Sequence, residues 1–186
     1  MVFRRVLLHR ALELGVSMLP LASAVAQGVR FAGETQIKAA YLFKFLAFTE
    51  WPARAFDGLE APLVIGVMGS QALVQELLQA VAGRTVAGRA VLVRELRAGD
   101  STLGLHVLFV GRAAAPRLSA VLGAAKGQPL LTVGEAEEGQ AQAVAINFVV
   151  VDEKVRFDIL PSAAELAGLK ISSRLLAVAR KVSTGS

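Results

Sequence analysis

The sequence predicts a single α/β domain, a mostly parallel sheet with flanking helices and a C-terminal antiparallel hairpin. Three observations carry this. Short apolar runs of strand length alternate with segments of helical period between residues 62 and 133. Two β-rich runs near the end, 143–151 and 154–159, are separated only by Asp152-Glu153. No Pro/Gly/Ser-rich linker divides the chain, and at 186 residues and 54% hydrophobic content it is about one domain long, with enough apolar surface for a core.

The first residues have a different task. Arg4, Arg5 and Arg10 form a basic start, an apolar stretch follows that only Glu13 interrupts, and Ala24-Val25-Ala26 offers small residues at an export-cleavage site. Residues 1–26 therefore read as a signal peptide, 27–34 as a short flexible segment and 35–183 as the domain. No later stretch reaches the roughly 18 apolar residues of a membrane span, so the mature chain is expected to be soluble.

The domain opens on QIKAAYLFKFLAFTEWP (36–52), a helix-length tract whose charges are Lys38, Lys44 and Glu50. Ile37, Ala40, Tyr41, Phe45 and Phe48 share one helical face, and Leu42, Phe43 and Leu46 continue the apolar character behind it. Such a helix asks to be buried on two sides. Pro52 closes it, because proline disfavours helical geometry at Trp51.

PLVIGVM (62–68) is apolar throughout, as a strand covered on both faces would be. A helix follows over 71–81, with Leu73, Leu77, Leu78 and Val81 on one side and Gly83 as its stop. Strands are expected over 90–96, 105–110 and 130–133, with a second surface helix over 114–125. After the hairpin, Pro161 suits a helix start and Gly168 its end. Ser172 or Ser173 caps a last helix with Leu175, Val178 and Val182 on one face.

Composition excludes several classes of function. Beyond residue 26 there are 17 basic against 14 acidic residues, a balance of +3 that does not advertise nucleic acid. Arg84, Arg89, Arg94 and Arg97 are the densest basic group, but no aromatics are interleaved for base stacking, so they read as a solvated face. The mature chain has one histidine, His106, and no cysteine, so no metal or cofactor is expected. Glu135, Glu137 and Glu138 lack the spacing of a calcium loop and read as a solvated acidic loop. His106 has no serine in a nucleophile elbow to serve; it reads as a half-buried strand residue, and no catalytic residue is assigned. Gly66-Val67-Met68-Gly69-Ser70 follows a strand and opens a helix, but no complete phosphate-binding motif is present. Gly69, Ser70 and His106 are kept as candidate ligand-binding residues of a small-molecule sensor, the second reading of the chain.

KAAYLFKF (38–45) with Glu50-Trp51-Pro52, HVLFV (106–110), Leu131-Thr132-Val133, Ile146-Asn147-Phe148 with VRFDI (155–159), and AGLKISSRLL (167–176) together resemble the YfiR family. The resemblance spans most of residues 35–182. It implies an exported α/β protein without enzymatic activity that restrains the periplasmic sensor region of an inner-membrane diguanylate cyclase, lowering cyclic-di-GMP synthesis and biofilm formation, plausibly as a homodimer. On that reading the partner surface draws on Lys38, Lys44, Trp51, Lys170, Ser172 and Arg174. Three departures stand out. Leu105 replaces a cysteine frequent before the strand histidine, Ala143-Val144 replaces a Gly-Gly pair, and Leu160 replaces an Asn. A chain without cysteine has no disulfide through which redox control could act.

Overall fold

In the computed structural model, residues 21–135 and 144–184 are described, with side chains from Gly33 onward. Most of the expected export signal, Glu137, Glu138 and Ala143 lie outside the described residues. No helix among them is long and apolar enough to cross a membrane.

Helix α1 (Leu21–Ala47) leads into a two-residue strand, β1 (Thr49–Glu50). It begins well before residue 36 and takes in the 27–34 stretch. Next come β2 (Leu63–Met68), α2 (Gln71–Val81), β3 (Thr85–Val86), β4 (Arg89–Leu96), β5 (Val107–Val110), α3 (Leu118–Ala124) and β6 (Leu131–Gly134). The chain ends in β7 (Ile146–Val151), β8 (Lys154–Ile159), α4 (Pro161–Leu166), β9 (Lys170–Ile171), α5 (Ser173–Val178) and β10 (Lys181–Val182). Eight strands form one sheet in the order β10-β8-β7-β6-β5-β2-β4-β3, and β1 pairs with β9 in a separate two-stranded ribbon.

The central strands β7, β6, β5, β2 and β4 are parallel, and antiparallel pairs stand towards both edges. The expected hairpin is β7–β8. Asp152 (φ 48°) and Glu153 (φ 60°) make its two-residue turn between the paired Val151 and Lys154, a conformation that usually selects glycine. A second hairpin, unforeseen from the sequence, joins β3 to β4 through Ala87 (φ 51°) and Gly88 (φ 78°).

Helices α1, α2, α4 and α5 share the core on one sheet face, and α3 packs on the other. The α1 tract is buried on two sides within the chain itself: Tyr41 and Phe45 meet Phe148 and Phe157 of the sheet, and the helix also packs against α2. This corrects the predicted face. Ile37 is 45% exposed, whereas Ala39, Leu42, Phe43, Phe45 and Leu46 are buried, because the helix sits in the angle between α2 and the sheet. In α2, likewise, Val74 is buried in place of Leu78, which is exposed.

Two further elements differ from the sequence reading. The 114–125 helix is a 3₁₀ turn (Arg112–Arg117) followed by the short α3, since Pro116 has no N–H to give an α-helical ladder. The last helix stops at Val178. The Arg180 and Ser183 N–H groups bond to the Phe157 and Ile159 carbonyls at 2.9 Å each, which draws Lys181 and Val182 into β10, parallel to β8. The Arg180 guanidinium holds the Asp158 carboxylate beside it. Helical spacing of Leu175, Val178 and Val182 thus spans two elements.

Leu105, which stands where the family often has cysteine, is an apolar fit. A Cβ on Gly66 would lie 2.6 Å from its Cδ1, so the glycine lets this side chain close down on β2.

Candidate functional site

The two most distinctive tracts of the sequence meet in space. Thr49 pairs with Ile171 and Glu50 with Lys170 across the β1–β9 ribbon, and the Ser172 N–H donates to the Phe48 carbonyl at 2.9 Å. Local sequence makes this meeting possible. Pro52 ends helical geometry after Trp51, Gly168 turns the chain at φ +76°, and the Ser172 hydroxyl caps α5 by accepting from the Leu175 N–H at 3.3 Å. Gly168 also gives room to Arg54, whose Nη2 lies 2.6 Å from where a Cβ would stand.

The surface around the ribbon carries exposed basic and apolar side chains, with the exposed Glu50 opposite Lys170 and Glu165 in α4 as its acidic neighbours. Arg54, Lys170 and Arg174 are exposed, and none is ion-paired among the described residues. Leu166, two residues before Gly168, is 88% exposed. Lys44 is exposed on the last turns of α1, 5.9 Å from the Tyr41 ring centroid.

The remaining residues expected at a partner surface are engaged inside the chain. Lys38 is 7% exposed, and its ammonium pairs with Glu34 and Glu135. Glu135 therefore is not part of a solvated loop; it ties α1 to the end of β6 and accepts from the Arg112 N–H at 3.3 Å. Ser172 is used as a cap. Trp51 is half-buried and stands edge-on to His106, at 6.0 Å between centroids.

Gly69, Ser70 and His106 do not come together. The register places Met68 opposite Val110 and Ile65 opposite Val107, so Gly69 follows one end of β2 while His106 lies level with Val64 at the other. At the first end, a Cβ on Gly69 would lie 2.7 Å from that of Ala114, and the Ser70 hydroxyl accepts from the Leu73 N–H as the α2 cap. The β2 and β5 turns thus close on each other where parallel α/β sheets commonly open a crevice.

At the second end His106 is buried, 3% exposed, with Nδ1 accepting from the Val64 N–H at 3.2 Å. Its ring lies 4.8 Å from that of Phe56, and Nε2 has no hydrogen-bond partner among the described residues. Burial holds the imidazole below its ordinary pKa; the Ala55 backbone opposes this, Arg89 adds to it, and Asp57 opposes it weakly. A neutral ring with one nitrogen fixed by a strand amide acts as a spacer under Trp51 and Phe56. No group of histidine and carboxylate side chains fit to hold a metal occurs among the described residues.

Above this stack lies a cleft of about 690 Å³, missed in the sequence because its walls come from four separate segments. Phe43, Leu46 and Leu63 give it an apolar floor, Thr49 to Trp51 form one wall, and Thr85 to Ala87 with Arg89 form the other. Thr49 Oγ1 and Trp51 Nε1 are buried beside it without a hydrogen-bond partner among the described residues. β1 and β3, which face it, are each paired on one side only.

No curated protein matches the chain. The model of the YfiR/HmsC-like family matches residues 35–180, from the middle of α1 to the residue before β10. The chain belongs to the YfiR/HmsC-like family, and membership fits a periplasmic regulatory role.

Proposed function

We propose that the protein is an exported, non-enzymatic regulator that binds the periplasmic sensor region of an inner-membrane diguanylate cyclase and restrains it. The observation that carries this is the β1–β9 ribbon. It joins the end of the aromatic tract to the Lys170–Arg174 segment, where Arg54, Lys170 and Arg174 are exposed without ion-pair partners among the described residues and Leu166, just before Gly168, is exposed as well. An interface of this kind suits a partner with an acidic rim and an apolar contact for Leu166. Family membership supports the class of role.

Restraint requires differential affinity. A regulator that binds the inactive state of the cyclase more tightly than the active one shifts the population about tenfold for each 1.4 kcal/mol of difference. Backbone pairing across the ribbon fixes where Lys170 leaves the chain relative to the end of α1.

The test is a pull-down with the periplasmic domain of the cyclase, beside a thermal melt. Lys170→Glu with Arg174→Glu keeps the fold, because both side chains are exposed, and weakens binding at least about tenfold by placing repulsive charge at the contact. Undiminished binding by a normally melting double variant removes this surface from the interface. The homodimer implied by the resemblance is read from the same preparation by light scattering.

A further inference from the structure

The cleft beside the ribbon has a chemistry of its own, and it does not depend on the regulatory reading. Three aromatic rings line it, Phe43, Trp51 and Phe56, and a guanidinium is laid on two of them. Arg84 lies 3.8 Å from the Phe43 centroid and Arg89 lies 3.9 Å from that of Phe56. The two arginines bracket β3 and its turn; Arg89 lines the cleft, whereas Arg84 stands outside its lining. Neither is paired with a carboxylate among the described residues. Among the described residues Arg84 donates only to the Ala80 carbonyl, and Arg89 uses Nη1 alone, on the Gly58 and Ala61 carbonyls. Their remaining N–H groups have no partner among these residues.

A cavity of this volume, apolar at its floor with a few polar groups at its rim, has the dimensions and the lining of a small-molecule site. An unpaired guanidinium at the rim of an apolar cleft selects for an anion attached to a flat apolar body, since the planar fork binds a carboxylate or sulfonate and the apolar lining accepts the body. We infer that the cleft between β1 and β3 binds a small aromatic monoanion, its ring in the apolar lining of Phe43, Leu46 and Leu63 and its charge at Arg89. The orphaned Thr49 hydroxyl and Trp51 indole N–H place unsatisfied groups in the wall that such a ligand would press on. Because Thr49 and Glu50 are also the residues paired with β9, occupancy would bear directly on the ribbon.

Trp51 is the only tryptophan and lines the cleft, so its emission reports occupancy. The probes are 1-anilinonaphthalene-8-sulfonate, an aromatic monoanion, and N-phenyl-1-naphthylamine, its uncharged counterpart, each titrated into the full chain with energy transfer from Trp51 as the signal. The sulfonate is expected to bind about tenfold more tightly than the amine, the worth of one charge-assisted contact. Arg89→Gln should remove most of that preference without changing the affinity for the amine, whereas Arg84→Gln, outside the lining, should leave it in place. Arg89→Lys, which keeps a charge while giving up the guanidinium whose Nη1 bonds the Gly58 and Ala61 carbonyls, should retain part of it. Ala47→Phe, which fills the cleft from an exposed helix position, should abolish energy transfer from both probes while melting normally. Equal affinity for the two probes, an unchanged preference in a folded Arg89→Gln variant, or persistent transfer in a folded Ala47→Phe variant would each overturn the inference.

Discussion

Phe45→Ala tests whether the long aromatic helix is an internal element of this domain. Phe45 is fully buried, with its ring 5.1 Å from that of Phe157, 5.7 Å from Phe148 and 6.0 Å from Tyr41. Truncation removes the six ring carbons and their contacts, on the order of 3–5 kcal/mol including the cavity left between rigid rings. For a domain of this length that corresponds to a fall in Tm of about 6–20 °C, and it uses up a large share of a typical stability of about 5–15 kcal/mol. Ile37→Ala, on the predicted face but 45% exposed, should stay within about 1 kcal/mol, and half-buried Phe48→Ala should fall between. Urea unfolding followed by circular dichroism gives all three, and Phe45→Leu should recover most of the loss. Equal losses in Ile37→Ala and Phe45→Ala would refute the placement of α1 between α2 and the sheet.

Other expectations follow from particular contacts. His106 is held below its ordinary pKa of 6.5, so the unfolded chain binds a proton more readily than the folded one. Its contribution is therefore whole above about pH 6.5 and is lost as the pH falls towards the lowered folded value. Melts at pH 7 and pH 5 should show this, and His106→Asn, which keeps an acceptor for the Val64 N–H, should flatten that part of the profile; an unchanged profile contradicts the assignment. Replacing Asp152-Glu153 by Asn-Gly, which the positive φ angles of the turn favour, should stabilise by about 1 kcal/mol and raise the Tm by about 2–4 °C in a thermal scan. Intact-mass measurement of the protein from its native cell should find a chain beginning near Gln27; an intact Met1 on a cytoplasmic product would overturn the proposed export.

Much of the fold is legible in the sequence where one interaction dominates. The run LVIGVM is apolar throughout because β2 is covered on both faces, and Pro161 and Gly168 mark α4 because their backbone demands are local. The misses share a cause. β10 and β3 are two-residue strands fixed by a neighbour's ladder and not by their own composition, and Val182 falls at a helical spacing by accident. The buried face of α1 was hidden because a helix apolar all round carries no moment to say which neighbour takes which side. The cleft was beyond reach for a related reason: Phe43, Trp51, Phe56 and Arg89 belong to segments whose meeting depends on register. Arg84 and Arg89 read as a solvated basic face, and only the ring centroids beneath them reveal another use.

The rate of cyclic-di-GMP synthesis by the full membrane cyclase, reconstituted with the mature protein on its periplasmic side, tests the central claim most directly. The wild-type chain should lower the rate severalfold, and the Lys170→Glu, Arg174→Glu double variant should leave it near the unregulated value while melting normally. An unchanged rate at a concentration of wild-type protein that saturates binding would contradict the account, because it would mean equal affinity for both states of the cyclase.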